Sequence, residues 1–429
     1  MTTLRVPRLL VPLAVGVIVV GYATLLAWDV FHYDWLRGFD AYANSLYSDV
    51  IRDHHRLPHE TETGVWHTPP LFFALSALID SHRAMQAVGG LAAVVVVVLA
   101  GLIARELFPR ARFLQIAAVA FAALTPVLTR TAVMYHPEPL ASALAVGGLY
   151  VVVRGLSRGR PGLWTGCVAG ALFGLGTLTR TWALAVAAAA CAMLVLNFLL
   201  RRDRTSLWSA AGLCGVLLLL SLPWFLHQAR EHGSPLAFNR PAPKESFFER
   251  RPASFYLSVD AGGVFSHPYA PSFVNHLWPV TYSDWWGDYW RYFDLPYENI
   301  SSPPRLPSQY ENPRVRQSYV GIVPSLLAVV GLVGILISGI RRRSPALLAV
   351  PVSVVLLVLS FLVFQISYPH PDGDTIKAAY LLNGVAPLAV CAAWALEELR
   401  RAGRLVIIVV VALLLYAAAI EIDFLVLPA

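Results

Sequence analysis

"LLVPLAVGVIVVGYATLLAW", residues 9–28, runs for twenty residues without a charge. About twenty apolar residues in a helix cross the roughly 30 Å hydrocarbon core of a bilayer. The run is too long for the core of a signal peptide and reads as a retained anchor. A few residues beyond it, "RGFDAYANSLYSD" (37–49) brings Asp40 and Asp49 to the point where this segment leaves the membrane, and the polar cluster "DHHRLPHETE" (53–62) follows. What these acids do depends on which side of the membrane they face.

The rest of the 429-residue chain repeats the opening pattern. It is 57% hydrophobic and 14% charged, with a mean hydropathy of +0.60, well outside the averages of soluble domains. The chain reads as an all-α integral membrane protein with eleven spans, near 9–28, 86–104, 113–129, 138–153, 162–178, 181–199, 207–226, 319–340, 345–367, 378–396 and 404–424. It divides into an N-terminal membrane module (1–227), a large loop (228–318) and C-terminal membrane helices (319–429), and is expected to end with the eleventh helix, without a further soluble domain.

The arginines set the orientation. With the N-terminus cytoplasmic, the short inner segments "MTTLRVPR", "RELFPRAR", "RGLSRGRPG", "RRDR", "RRR" and "EELRRAGR" hold 17 of the 33 basic residues, as the positive-inside rule requires. The net charge of +7 is thus a matter of topology and calls for no nucleic-acid partner. All twelve histidines fall on the opposite side, as do all carboxylates except Glu106, Asp203, Glu397 and Glu398. The ionisable chemistry is therefore extracytoplasmic. The four cysteines lie within predicted helices, so the outer loops offer no disulfide. The excess of 31 arginines over 2 lysines fits a GC-rich genome and a bacterial plasma membrane.

Two outer segments are large. In residues 29–85, Tyr42, Leu46 and Val50, with Tyr47 and Ile51, repeat at helical spacing, while Asn44, Asp49 and Asp53 take the other side; this predicts a helix lying on the membrane surface. "PPLFFALSALI" (69–79) is about half a span and reads as interfacial or re-entrant. The second segment, 228–318, is rich in proline and aromatics and shows no clear periodicity, yet its aromatics argue for order.

Several residues are candidates for chemistry. Asp40 stands beside the anchor and the surface helix, placed to take a proton from a hydroxyl attacking a lipid-borne group; the alternative is a solvated loop carboxylate. Glu138, just after Pro137 at the mouth of the fourth span, fits either a dipole-complementing first-turn acid or a catalytic or acceptor-binding one. Arg180 and Lys377 lie on the outer face, where the positive-inside rule disfavours them, so an anionic partner competes with snorkelling to headgroups. His54, His55 and His59 invite a metal reading, but Pro58 interrupts the helix that would bring His55 and His59 together, and no HExxH is present. No cofactor is expected, and a divalent metal is not favoured. "TYSDWWGDYW" (281–290) sets Tyr282 and Trp285 beside Asp284 and Asp288, the aromatic faces and acceptor oxygens that a sugar ring needs, or else an interfacial aromatic belt. Nucleotide-binding glycine motifs and a GxSxG are lacking.

Taken in chain order, "GFDAYANSLYSDVI" (38–51), "HTPPLFFALSAL" (67–78), "YHPEPLASALAVGGLYVV" (135–152), "GALFGLGTLTRTWALAVAAAA" (170–190) and "DTIKAAYLLNGVAPLAVCAAWAL" (374–396) resemble the GT-C membrane glycosyltransferases, of the branch with protein O-mannosyltransferases and aminoarabinose transferases. The resemblance implies a polyprenyl-phosphate sugar donor, a glycan, lipid or protein acceptor, and inverting transfer in which lipid phosphate leaves without a general acid. It implies Asp40 as base, Glu138 as a second acid at the acceptor, and Arg180, Lys377 and His67 at the donor phosphate. His55, Tyr282, Asp284 and Trp285 are assigned to the acceptor or sugar. Members often carry a lysine just before the "PP" step, where this chain has His67 and Thr68, and a basic residue two after the lysine, where it has Ala379, so donor binding is expected to differ in detail. The rival readings are a lipid-linked sugar flippase, which normally places charge at mid-membrane, and a non-catalytic cell-envelope assembly protein.

Overall fold

The computed structural model describes residues 10–239, 251–293, 306–368 and 375–427, and among these every regular element is helical. The first half comprises α1 (Leu10–His32), the short α2 (Ala41–His54) and α3 (Leu71–Ile79), α4 (His82–Leu107), α5 (Arg112–Ala123), α6 (Pro126–Val133), α7 (Glu138–Ser157), α8 (Leu163–Thr179), α9 (Ala183–Arg201) and α10 (Arg204–His232). Three short helices follow: α11 (Ala253–Leu257), α12 (Ala261–Ser266) and α13 (Leu277–Trp286). After them come α14 (Ser308–Val320), α15 (Ile322–Arg341), α16 (Pro345–Ser367), a 3-10 turn over Ala378–Gly384, α17 (Val385–Ala402) and α18 (Arg404–Leu425).

Each expected membrane segment is helical, though not all are single full-length helices. Among the described residues nine helices are long and apolar enough to cross a bilayer, and α8 is a shorter apolar helix. The expected span at 113–129 is instead two helices, α5 and α6, bent by 49°. Pro126 opens α6; lacking an N–H, it cannot continue the hydrogen-bond ladder of α5, so the chain breaks and re-aims there.

The helix expected at the membrane surface is α2, and what needs correction is the side it buries. Tyr42 is 65% exposed, whereas Ala41, Asn44, Ser45, Tyr47 and Ser48 are buried. The buried face is polar because it meets protein groups that satisfy it. Asn44 Nδ2 donates to the Tyr135 carbonyl at 3.2 Å, and the Tyr135 hydroxyl joins Ser48 of α2 at 2.8 Å and Ser76 of α3 at 2.5 Å. These bonds fix the start of α2, where Asp40 stands, against the α6–α7 junction.

Where apolar helices pack in lipid, close backbone approach replaces hydrophobic collapse as the main adhesive. A Cβ at Gly166 of α8 would lie 1.9 Å from the Ser209 carbonyl oxygen of α10, and one at Gly331 of α15 would lie 1.8 Å from that of Cys391 on α17. Both neighbours are backbone and cannot swing aside. The described part of 228–318, expected without regular periodicity, forms the end of α10, α11 to α13 and most of α14. An ion network ties it to the bundle: Arg130 of α6 meets Asp288 at 3.3 Å, and Arg314 of α14 meets it at 3.0 Å.

Gly331→Val and Gly166→Val are expected to lower the melting temperature of the detergent-purified protein by many degrees or to abolish its folded yield. Gly16→Ala, whose Cβ would meet nothing within 4 Å, leaves both unchanged.

Candidate active site

Asp40 precedes the first residue of α2 with left-handed backbone angles, φ 54° and ψ 18°, yet its side chain caps no helix N–H. Asp is among the few residues that tolerate this conformation. The carboxylate turns instead to Lys377, whose Nζ lies 3.1 Å from Asp40 Oδ2. The lysine side chain is 6% exposed and the aspartate 37%, so the pair sits at a boundary with the acid toward solvent. Burial alone pushes the Asp40 carboxyl up, but the Lys377 ammonium, aided by His136 and Arg180, outweighs it and holds the group at about 2.

A second pair lies alongside. Glu138, the first residue of α7, does not cap its helix. Arg180, in the turn between α8 and α9, donates from Nε to Glu138 Oε1 at 2.5 Å and from Nη1 to Thr68 Oγ1 at 3.1 Å. His136 Nδ1 contacts the other carboxylate oxygen of Glu138. His136 is itself buried, at 1% exposure. Although burial works against the charged guanidinium, Glu138 and Asp40 raise Arg180 above its ordinary value.

A cavity of about 400 Å³ brings the two pairs to one space, lined by Asp40, His67, Arg180 and Lys377 at its polar end. That volume suits a small ligand or headgroup. Glu138 does not line it and stands behind Arg180. Burial, reinforced by the nearby Arg180 charge, lowers His67 to about 3, so its imidazole can offer a ligand a hydrogen bond but not a cation. The cavity then runs between α10, with Trp224, and α16, with Ser360, Val363 and Phe364; Leu184 and Ala185 of α9 form its floor. α10 and α16 each pack on α9 rather than on one another, which leaves a groove between them. Across its mouth Phe238 packs on the His67 ring at 4.4 Å and on Tyr368 at 4.6 Å.

The other sequence candidates are elsewhere. His55 is exposed at the C-terminal end of α2, with φ 54°. Tyr282 and Trp285 line a separate apolar cavity of about 320 Å³ walled by α15, α16 and α17. Asp284 is 1% exposed; its Oδ2 accepts the Ala378 N–H at 2.7 Å, and Arg130 donates to its backbone carbonyl. It lines neither cavity. Arg130 and Arg314 escaped sequence reasoning, which named Asp288 only as a sugar-facing carboxylate beside Asp284 and not as the partner of two arginines. The signal that singled out Arg180, an arginine on the side where arginine is disfavoured, applies equally to Arg130.

Residues 67–226 match the family model described as dolichyl-phosphate-mannose-protein mannosyltransferase. Over 97% of its length the chain superposes on the Archaeoglobus fulgidus oligosaccharyltransferase AglB, solved with an inhibitory peptide and a dolichol-phosphate, at 13% identity and a TM-score of 0.56, covering 56% of that chain. The apo form of the Archaeoglobus fulgidus oligosaccharyltransferase gives 14% identity and a TM-score of 0.54 over 97% of this chain and 56% of that one. ArnT from Cupriavidus metallidurans, bound to undecaprenyl phosphate, is matched at 15% identity and a TM-score of 0.49 over 98% of this chain and 76% of that one. No curated protein sequence matches the chain. The family match and the shared fold bear out the resemblance to GT-C membrane glycosyltransferases.

Arg180→Met removes the guanidinium from the buried Glu138 and is expected to destabilise the protein by about 3–5 kcal/mol, the usual loss when one partner of a buried pair is deleted. Glu138→Gln in the same background should recover much of that loss, as read by thermal unfolding in detergent.

Proposed function

We propose that this protein is an inverting membrane glycosyltransferase that moves a sugar from a polyprenyl-phosphate donor to an acceptor hydroxyl or amine on the extracytoplasmic side. One observation carries the reading: a carboxylate, two cations and a neutral imidazole face one cavity that continues as an apolar groove between α10 and α16. The arginine-rich inner loops orient that end away from the cytoplasm. The groove suits an isoprenoid chain, and the polar end suits a phosphate with its sugar.

The residues divide the chemistry between them. Asp40 accepts the proton as the acceptor oxygen or nitrogen attacks the anomeric carbon. The bond from that carbon to the phosphate oxygen breaks, and the electron pair leaves on the lipid phosphate. Lys377 and Arg180 offset the charge that develops there, and His67 donates a hydrogen bond to it. One displacement with one base inverts the anomeric centre. Glu138 and His136 hold Arg180 at the cavity wall. No step requires a metal, and a divalent ion has no assigned role in this reading.

The Asp40–Lys377 pair gives the donor a second task. A carboxylate held at about 2 is a poor proton acceptor. When a donor phosphate draws the Lys377 ammonium toward itself, burial of Asp40 is less opposed and its basicity rises. The donor thereby switches on the base.

Asp40→Asn is expected to lower turnover by about 10²–10⁴-fold, the usual share of a general base, with protein abundance unchanged. The assay incubates purified protein with polyprenyl-phosphate sugars and follows release of lipid phosphate. Wild-type activity in Asp40→Asn removes the base assignment; absence of release from every donor favours a flippase or an assembly role. Lys377→Met should cut the rate by about 10²–10³-fold. With the chief opposing charge gone, its Asp40 titrates above the ordinary carboxylate value instead of below it. The residual kcat/KM, which reports the free protein, therefore falls as pH drops through about 6 to 4, whereas Asp40 held at about 2 leaves the wild-type kcat/KM profile flat there.

A further inference from the structure

Lys377 belongs to a short stretch whose backbone is gripped on each side by side chains from other elements. The residue is extended, φ −117° and ψ 122°, immediately before the 3-10 turn. Just upstream, Trp290 Nε1 donates to the Ile376 carbonyl at 2.9 Å. Gln365 of α16 donates to the Thr375 carbonyl at 2.6 Å and accepts from the Thr375 hydroxyl at 3.1 Å. Just downstream, the Ala378 N–H donates to Asp284 Oδ2 at 2.7 Å. Ile376, Ala378 and Asp284 are all buried, so each of these backbone groups depends on the partner it has.

Asp284 is in turn held in place. Arg130 of α6 donates to its backbone carbonyl and reaches Asp288 at 3.3 Å. Asp288 accepts the N–H groups of Tyr292 at 3.1 Å and Phe293 at 2.9 Å, and pairs with Arg314 at 3.0 Å. A continuous polar chain thus runs from α6 and α14 through Asp284 of α13 to the peptide group just after the catalytic lysine, while Trp290 holds the one just before it. These residues do not line the cavity, so they act on the reaction through the segment that carries Lys377.

We propose that Asp284 and Trp290 are positioning residues that fix the Lys377 backbone so that its ammonium serves Asp40 in the empty protein and the donor phosphate in the loaded one. The proposal rests on the reading of Lys377 as a phosphate-binding cation. It gives Asp284 a task different from sugar binding, with the carboxylate turned to a backbone amide behind the cavity wall. A cation on a loose segment would follow its ligand rather than choose between two, and small misplacements of a charged group erase much of its effect.

The test uses the full-length protein in detergent with undecaprenyl phosphate as probe. Asp284→Ala and Trp290→Phe are each expected to weaken binding about tenfold, the equivalent of one good buried hydrogen bond. Asp284→Asn, whose amide oxygen can still accept from Ala378, weakens it less than Asp284→Ala. In a Lys377→Met background the same changes cause no further loss, because they act through that side chain. Losses that add fully to Lys377→Met overturn the proposal. Hydrogen exchange over Thr375–Gly384 decides independently of any ligand: it should quicken about tenfold or more in Asp284→Ala, and unchanged exchange overturns the clamp. If the wild-type protein fails to bind undecaprenyl phosphate, the functional reading falls, while the exchange result still decides whether Asp284 holds the segment.

Discussion

Charge buried at the end of an apolar bundle must be paired, and that constraint organises this molecule. Taking an ion out of water costs several kcal/mol even after the surroundings relax, so buried cations at this end of the fold draw carboxylates to themselves. Arg180 holds Glu138, Lys377 holds Asp40, and Arg130 and Arg314 share Asp288. The partners come from elements far apart in sequence, so satisfying the charges also joins the helices. Asp40 and Lys377 are 337 residues apart, and their contact closes the first loop onto the turn that opens α17.

Two of these three groups face an open cavity, whereas the third is sealed, and the difference separates chemistry from scaffold. Asp288 spends its oxygens on two arginines and two backbone amides, so little capacity remains for a ligand. Asp40 is partly exposed beside its lysine, and a group that can exchange one partner for another is what a catalytic carboxylate needs. Arg180 is intermediate. Glu138 fixes its Nε edge, Thr68 takes part of its Nη1 capacity, and the guanidinium still borders the cavity. A guanidinium anchored along one edge presents the remainder in a defined direction, which suits an incoming phosphate better than a freely moving cation does.

The helices were legible because hydrocarbon enforces a simple rule: apolar runs of sufficient length become helices whatever their tertiary neighbours. The break at Pro126 was less legible, since a single proline ends one helix or merely bends it according to what surrounds it. The buried side of α2 was misjudged for a related reason. A hydrophobic stripe says which face avoids water, but Asn44 and Ser48 are buried because Tyr135, 91 residues from Asn44, satisfies them, and such partners are invisible to local periodicity. Asp40 and Arg180 were found from position relative to the membrane. Arg130 offered the same signal, yet it stood at the end of a segment taken to be one straight span. The aromatic stretch at 281–290 illustrates the reverse error: its carboxylates suggested a sugar, while the fold turns both inward to backbone amides and arginines.

In the proposed reaction, sharing one lysine between a base and a phosphate has a consequence for the order of events. An ammonium close to Asp40 suppresses its basicity, and the same ammonium moved toward a phosphate both steadies the leaving group and relieves the carboxylate. The two effects cannot be separated, since a single charge produces them. An acceptor entering first would meet a carboxylate too weakly basic to take its proton. Once the lipid phosphate occupies the cavity, the carboxylate recovers its basicity, and when the product departs the lysine returns to Asp40. On this reading the coupling sets the order, donor before acceptor, without a moving lid, because the phosphate that makes the sugar transferable is also the group that frees the base.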